Sequence, residues 1–408
     1  MVSRESPSDL RVISRGICKR LMTFIDALTE IAEIDLLLYV SPDVDRSAAA
    51  VAEFEHYFCQ EWKTQVNLFL CPRFVRQPPL PKWRSQLPGI FSFFEQTDTA
   101  GCQQVQAFEG CLSRKPGAIF VHRLGSMSPV MLTKQPLPAL FFDLDDIEHV
   151  AFRRGIHQPP TRPLTWLYYL QIPALWWGER RAIRLSRQTF VCSERDRDYL
   201  VKQQGLPRVF AVPNAVTIPA PQPLPSEPTL LFLGSYNYYP NINGANFLIE
   251  QVFPKIAQAM PEACLIVAGK DAHNLQGYGK NLPGVEVVGF VPDLEALYQR
   301  TRVVCCPIFS GGGTRIKIIE AAAYGKPIVA SKIGAEGLAM QEGREFLLAN
   351  TPQQFADACL ELLRNEALCQ QLGAAARAVA MQDYDRAKIV RSIQTLIYGD
   401  INLENLII

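Results

Sequence analysis

The second half of the chain alternates short, unbroken apolar runs with segments of helical period, and this rhythm leaves few folds open. The runs are TLLFLG (229–234), CLIVAG (264–269), VEVVGFV (285–291), RVVCCPI (302–308), PIVAS (327–331) and EFLLA (345–349). Between them lie helical patterns around 243–260, at DLEALYQR (293–300), at TRIKIIEAAAY (314–324) and through 352–380. A strand apolar on both faces is covered on both sides, as in a parallel sheet flanked by helices. The expected fold is α/β and doubly wound, with ligands beyond the carboxyl ends of the strands.

The first half repeats the rhythm less clearly. IDLLLYV (34–40), VNLFL (66–70), AIFV (118–121), ALFFDL (139–144) and TFVCS (189–193) read as strands. Before residue 34 only RVI, set between charged residues, offers itself as a first strand, and it is a poor one. PAPQPLPSEP (219–228) holds five prolines in ten positions and reads as an extended connector. A chain of 408 residues exceeds one ordinary core. The expected division is therefore 1–218, a linker at 219–228, a second domain at 229–385 and a terminal helix at 386–408. The halves share a rhythm but no internal sequence repeat.

Composition narrows the function classes. A formal net charge of +1 offers no global attraction to nucleic acid, and none is expected as a partner. The cysteines number 11, an odd count without any C-x-x-C, so buried thiols in a reducing compartment are expected. The histidines at 56, 122, 149, 157 and 273 lack metal-ligand spacing, so no metal held by protein ligands alone is expected. The charged N-terminal stretch has no apolar signal core, and no window is long and apolar enough to span a bilayer. The expected location is cytoplasmic.

The stretch SGGGTRIKIIEAAAYGKPIVAS (310–331) carries the chemistry. Its spacing fits neither the P-loop nor the dinucleotide fingerprint. Gly311, Gly312 and Gly313 let a ligand approach the backbone, and Thr314 is expected to cap the helix whose free N–H groups bind an anion. Arg315 and Lys317 supply charge for phosphate. Glu320 shares the face of Lys317; a carboxylate repels phosphate but suits a pair of sugar hydroxyls. Together they describe a pyrophosphate at the helix start with a ribose one turn deeper. The plainer reading is a tightly packed glycine loop with a surface ion pair between Lys317 and Glu320.

These residues, with FLGSYNYYPN (232–241), CLIVAGK (264–270), VVGFVPDLEALY (287–298) and the continuation to GAEGL (334–338), resemble the nucleotide-sugar domain of retaining GT-B glycosyltransferases of the family 4 type. FFDLDDIEH (141–149), FVCSERDRDYL (190–200) and VPNAV (212–216) in the first half resemble the same family. The resemblance covers about 115–385 and implies two Rossmann-like domains facing a cleft, with a last helix returning to the first domain. It implies diphosphate contacts at Arg315 and Lys317, ribose binding by Glu320, and a base bordered by Gly289, Phe290 and Val291. It also places Gly234 and Ser235 at the phosphates, and His122 as the histidine reaching the donor sugar.

The implied activity is sugar transfer from a nucleotide-diphosphate sugar to an acceptor hydroxyl with retention of configuration, in polysaccharide, glycolipid or other glycan biosynthesis. The acceptor would be a glycan, a lipid-linked molecule or a small molecule, and no prosthetic group is required. Two departures stand out. The first acid of the family's Glu-x7-Glu pattern falls on Gly312, and the turn at 234–241 lacks the Arg and Lys of many relatives. These keep open a non-catalytic nucleotide-sugar-binding or scaffold protein, and, more remotely, a nucleotide-sugar epimerase.

One further segment has two readings. LTWLYYLQIPALWW (164–177) is the most aromatic run, flanked by arginines at 153, 154, 162, 180, 181, 184 and 187. It is either a peripheral contact with the inner membrane face through 164–187, or a buried helix kinked at Pro173 with its arginines in water. The buried helix is the simpler of the two. The terminal LENLII is too short to span and is expected to pack.

Overall fold

The computed structural model describes residues 1–4, 16–74, 90, 92–156, 158 and 165–405. RVI (11–13), Arg162, Leu164 and the last three residues of LENLII lie outside the described residues. The chain forms two compact units, Met1–Val212 with Val390–Ile408, and Pro213–Ile389.

The first unit is built on a parallel seven-stranded sheet in the order β3-β2-β1-β4-β5-β6-β7. Its strands are β1 (Val2–Ser3), β2 (Ile34–Val40), β3 (Val66–Pro72), β4 (Ala118–His122), β5 (Ala139–Asp145), β6 (Gln188–Val191) and β7 (Val209–Ala211). No convincing first strand is legible before residue 34, and RVI itself lies outside the described residues. A strand exists at residues 2–3, in the middle of the sheet, where Val2 faces Leu37 and Val121. Two residues are too short to show a period, so only their neighbours identify them as a strand.

The second unit carries a parallel six-stranded sheet in the order β10-β9-β8-β11-β12-β13. These are β8 (Thr229–Leu233), β9 (Cys264–Ala268), β10 (Val285–Val288), β11 (Val303–Cys306), β12 (Ile328–Ala330) and β13 (Leu347–Leu348). All four residues of β11 are buried, as the unbroken VVCC run requires of a strand covered on both faces. The helix Pro352–Arg364 starts from a capping box: Thr351 accepts from the Gln354 amide while the Gln354 side chain accepts from the Thr351 amide. One apolar core surrounds this sheet and includes Phe232, Ile266, Cys305, Ile319 and Phe355.

Two local differences follow from tertiary packing. The proline run 219–228 lies inside the second unit: Arg377 donates to Pro219 O at 2.6 Å and Arg302 to Pro225 O at 3.2 Å. Pro173 does not kink a helix but starts one, Ile172–Leu185, after a 3-10 turn at Thr165–Gln171. The helix Arg386–Asn405 begins in the second unit and continues into the first, where Gln394 donates to Ala27 O and Glu30.

Candidate functional site

Strand order locates the site in the second unit. From β8 the chain steps to β9 and β10 on one side, then restarts at β11 and runs to β13 on the other. The order reverses between β8 and β11, and in sheets of this kind ligands sit at such a reversal, beyond the carboxyl ends of the strands. The loop after β8 begins Gly234-Ser235, and the loop after β11 runs through Ser310 to Arg315.

Glycine allows these loops to close in. Gly269, after β9, has φ +143°, and a β-carbon there would stand 1.7 Å from Gly234 O. No other residue fits that crossing. Gly311 and Gly313 have φ of +99° and +63°. A β-carbon on Gly311 would lie 2.7 Å from the Tyr238 hydroxyl and 3.2 Å from Arg315 Nη2. Tyr238 and Arg315, from loops on either side of the strand reversal, therefore meet over Gly311.

The helix after this loop is Ile316–Ala323, with Arg315 as its N-cap and no side-chain cap. This corrects the expectation for Thr314, whose hydroxyl instead accepts from Asn214 Nδ2 at 2.9 Å. That bond ties VPNAV to the glycine loop, and Arg315 at the N-cap position makes no side-chain cap. Arg315 folds back on the loop, its Nη2 donating to Ser310 O at 3.2 Å and its Nη1 to Gly312 O. Its Nε is buried without a hydrogen-bond partner among the described residues.

Lys317 donates to Asn241 Oδ1 at 2.8 Å and sits 4.3 Å from the centre of the Phe232 ring. The ion pair with Glu320 in the plainer sequence reading is not the bond Lys317 makes. Asn241 also donates to Ser235 O at 2.9 Å, so one amide joins the β8 turn to the Lys317 head. Burial, aided by the Arg315 charge, lowers the Lys317 pKa to about 8. Glu320 is half-buried one turn further on, beside the stacked rings of Tyr298 and Tyr324, whose centres are 4.2 Å apart. The Tyr298 hydroxyl is buried with no hydrogen-bond partner among the described residues, and burial raises its pKa well above normal.

The remaining sequence candidates divide between the two units. Gly289, Phe290 and Val291 follow β10; Gly289 O accepts from Gly269 N at 3.0 Å, and Phe290 is exposed. His122 ends β4 of the first unit and is fully buried. Its Nδ1 lies 2.8 Å from Asp143 Oδ2, and Arg20 Nη2 donates to the same carboxylate at 2.6 Å. Burial opposes the Asp143 charge, but the Arg20 guanidinium and the His122 ring hold its pKa below the usual carboxylate range. A carboxylate at Nδ1 selects the tautomer with the proton there, which leaves Nε2 as an acceptor. Nε2 has no partner among the described residues.

Sequence reasoning missed Asn241, Tyr238, Asp143 and Arg20. Asn241 and Tyr238 lie within the quoted FLGSYNYYPN segment, and their polarity beside a strand end was the available signal. Arg20 is 123 residues from Asp143, and no local pattern connects them.

Residues 227–365 match the family model described as glycosyl transferases group 1. A phosphatidyl-myo-inositol mannosyltransferase of Mycobacterium leprae is 29% identical over 198 residues, 45% of this chain and 51% of that protein. The chain spans about half the length of the curated relatives it matches. Sucrose-phosphate synthase from Thermosynechococcus elongatus superposes with a TM-score of 0.70 at 16% identity, covering 98% of this chain and 99% of the other. Anabaena Alr3699/HepE, in complex with UDP and glucose, gives 0.63 at 15% identity over 97% and 98%. At these identities the likeness is one of fold, two parallel α/β units of the GT-B type.

The low Lys317 pKa predicts a pH dependence for any phosphate ligand. A bound diphosphate favours the protonated amine, so above about pH 8 binding must recruit a proton and affinity falls, by up to about tenfold per pH unit. Titration of a nucleoside diphosphate from about pH 7 to about pH 9 should show this slope, and Lys317→Gln should flatten it. Folding carries its own dependence: a lysine pKa below the unfolded value costs stability while protonated, and that cost fades as pH rises from about 8 towards 10.5.

Proposed function

We propose that this protein is a glycosyltransferase that moves a sugar from a nucleotide-diphosphate sugar to an acceptor hydroxyl with retention of configuration, as family 4 members do. The observation that carries this reading is the convergence of Gly234, Tyr238, Gly311, Arg315 and Lys317 at the strand reversal of the second sheet. The match of 227–365 to a glycosyltransferase family and the UDP and glucose held by Alr3699/HepE support it.

In this reading the glycine loop and the leading amides of the helix Ile316–Ala323 receive the diphosphate, with Arg315 and Lys317 neutralising it. The 2- and 3-hydroxyls of the ribose are assigned to Glu320, and the border of the base to Gly289, Phe290 and Val291. Breaking the bond between the anomeric carbon and the diphosphate oxygen leaves the electron pair on that oxygen. The cations stabilise this growing charge, a dominant contribution in many active sites. The leaving diphosphate, on the same face as the incoming hydroxyl, receives its proton as the new glycosidic bond forms. No carboxylate nucleophile is required, so glycine at 312 is compatible with turnover. His122 is assigned to the donor sugar, its ring held by Asp143 and Arg20.

Gly312 in place of the first acid also fits a protein that binds nucleotide sugars without turnover. Product analysis separates the readings. The best-binding nucleotide sugar, found by thermal shift, is incubated with and without candidate acceptors. Release of nucleoside diphosphate with an α-linked product from an α-linked donor is expected. Binding without any product in every acceptor mixture would leave the scaffold reading, and isomerised donor without acceptor would indicate an epimerase.

A further inference from the structure

The helix Ile172–Leu185 presents two unlike faces. Leu175, Gly178, Glu179, Ala182 and Ile183 face inward, and Gly178 packs so closely on Phe93 that a β-carbon would come within 2.4 Å of the ring. The outward positions carry Trp176, Trp177, Arg180, Arg181, Arg184 and Leu185. An outer helix face is ordinarily polar and carries charges of both signs. Here Trp177 is 49% exposed and Leu185 43%, and the outer face bears no carboxylate. The helix's acid, Glu179, is buried and bonded to His149. Trp166 and Leu170 in the preceding turn are 60% and 45% exposed, which extends the apolar area. The simpler sequence reading, a buried helix with arginines in water, is therefore true of only one side.

The chemistry of the outer face selects its partner. Arg180 stacks on Trp176 at 4.7 Å and Arg181 on Trp177 at 5.4 Å, so cation and ring are displayed together. Arg180 donates to Gln204 O and Arg181 to Met131 O, while Arg180, Arg181 and Arg184 have no carboxylate partner among the described residues. Their charge stays uncompensated while some of their donors are already engaged within the protein. A glycan or a peptide carboxylate is best recognised by free hydrogen-bonding forks. A negatively charged lipid surface needs net positive charge and amphipathic rings at headgroup depth. We propose that the outer face of the helix Ile172–Leu185, with Trp166 and Leu170, docks on an anionic lipid bilayer. The helix lies on the surface; among the described residues no helix is long and apolar enough to cross a membrane. This docking does not depend on the second unit turning over a donor.

The test uses the full chain and vesicles of phosphatidylcholine with or without phosphatidylglycerol. Sedimentation with the anionic vesicles only, weakened by salt, is expected. Arg184→Gln should lower partitioning about fivefold, one cation's share of surface attraction. The double change Trp176→Ser with Trp177→Ser should lower it by about tenfold or more, through lost apolar insertion. Unchanged thermal unfolding of the variants shows that they fold. Should the double variant fail to fold, quenching of wild-type tryptophan emission by brominated anionic lipid provides the second readout. Equal binding to neutral vesicles, no binding at all, or unquenched emission would overturn the proposal. So would concentration-dependent self-association without lipid that the tryptophan changes abolish, which would assign the face to a second copy of the chain.

Discussion

Replacing Arg315 with alanine is expected to lower sugar transfer by about 10²–10³-fold, the usual consequence of removing one donor from a site of developing negative charge. Two observations motivate this expectation. The guanidinium lies over Gly311 beside the Tyr238 hydroxyl, and its Nε is buried with no hydrogen-bond partner among the described residues. The bonds it makes run to loop carbonyls of Ser310 and Gly312, so truncation removes two contacts but leaves no carboxylate stranded. Stability should therefore change little while turnover collapses. Comparing kcat and the unfolding midpoint of Arg315→Ala with wild type checks both. Retained turnover would remove Arg315 from the chemistry, and unfolding of the variant would make it a structural clasp.

The second large effect concerns the first unit. Asp143→Ala should destabilise the protein by about 3–5 kcal/mol, because it leaves the Arg20 guanidinium buried with much of its compensating charge removed. The Arg20 side chain is 2% exposed and that of Asp143 fully buried, and the two are joined at 2.6 Å. Asp145, 3.3 Å from Arg20 Nε, retains part of the compensation. Urea unfolding followed by tryptophan emission measures the loss. Asp143→Asn keeps the shape and removes the charge, so it should also free the His122 tautomer. The wild-type pair carries an acid signature of definite sign. The Asp143 pKa is lowered on folding, so its contribution is complete above the ordinary carboxylate range and disappears as pH falls through the lowered value. A variant as stable as wild type would contradict this account of the buried pair.

The sequence made the second unit legible because its strands are covered on both faces. TLLFLG, CLIVAG and RVVCCPI are unbroken apolar runs for that reason, and each run contains one of the observed strands. The first strand of the first unit was not legible, since Val2 and Ser3 are strand residues only through pairing with Leu37–Leu38 and Val121–His122. At the site, the glycines and cations announced themselves locally. The cap did not: Thr314 has the right chemistry, but Asn214, distant in sequence, claims its hydroxyl. Asn241 and Asp143 likewise acquire their roles across 76 and 21 residues, distances over which no spacing rule operates. The aromatic segment 164–177 shows the same limit. Its composition fits burial or an interface equally, and only the packing of Gly178 on Phe93 decides which side of the helix faces outward.

On the proposed reading, the strand-reversal loop of the second unit holds a nucleoside diphosphate. Calorimetric titration of UDP and GDP into wild type, Arg315→Ala and Glu320→Ala tests it most directly. Wild type should show saturable one-site binding, Arg315→Ala should lose most of the heat, and Glu320→Ala should bind more weakly through lost ribose contacts. Failure of both nucleotides to bind wild type, or equal affinity in all three proteins, would contradict it.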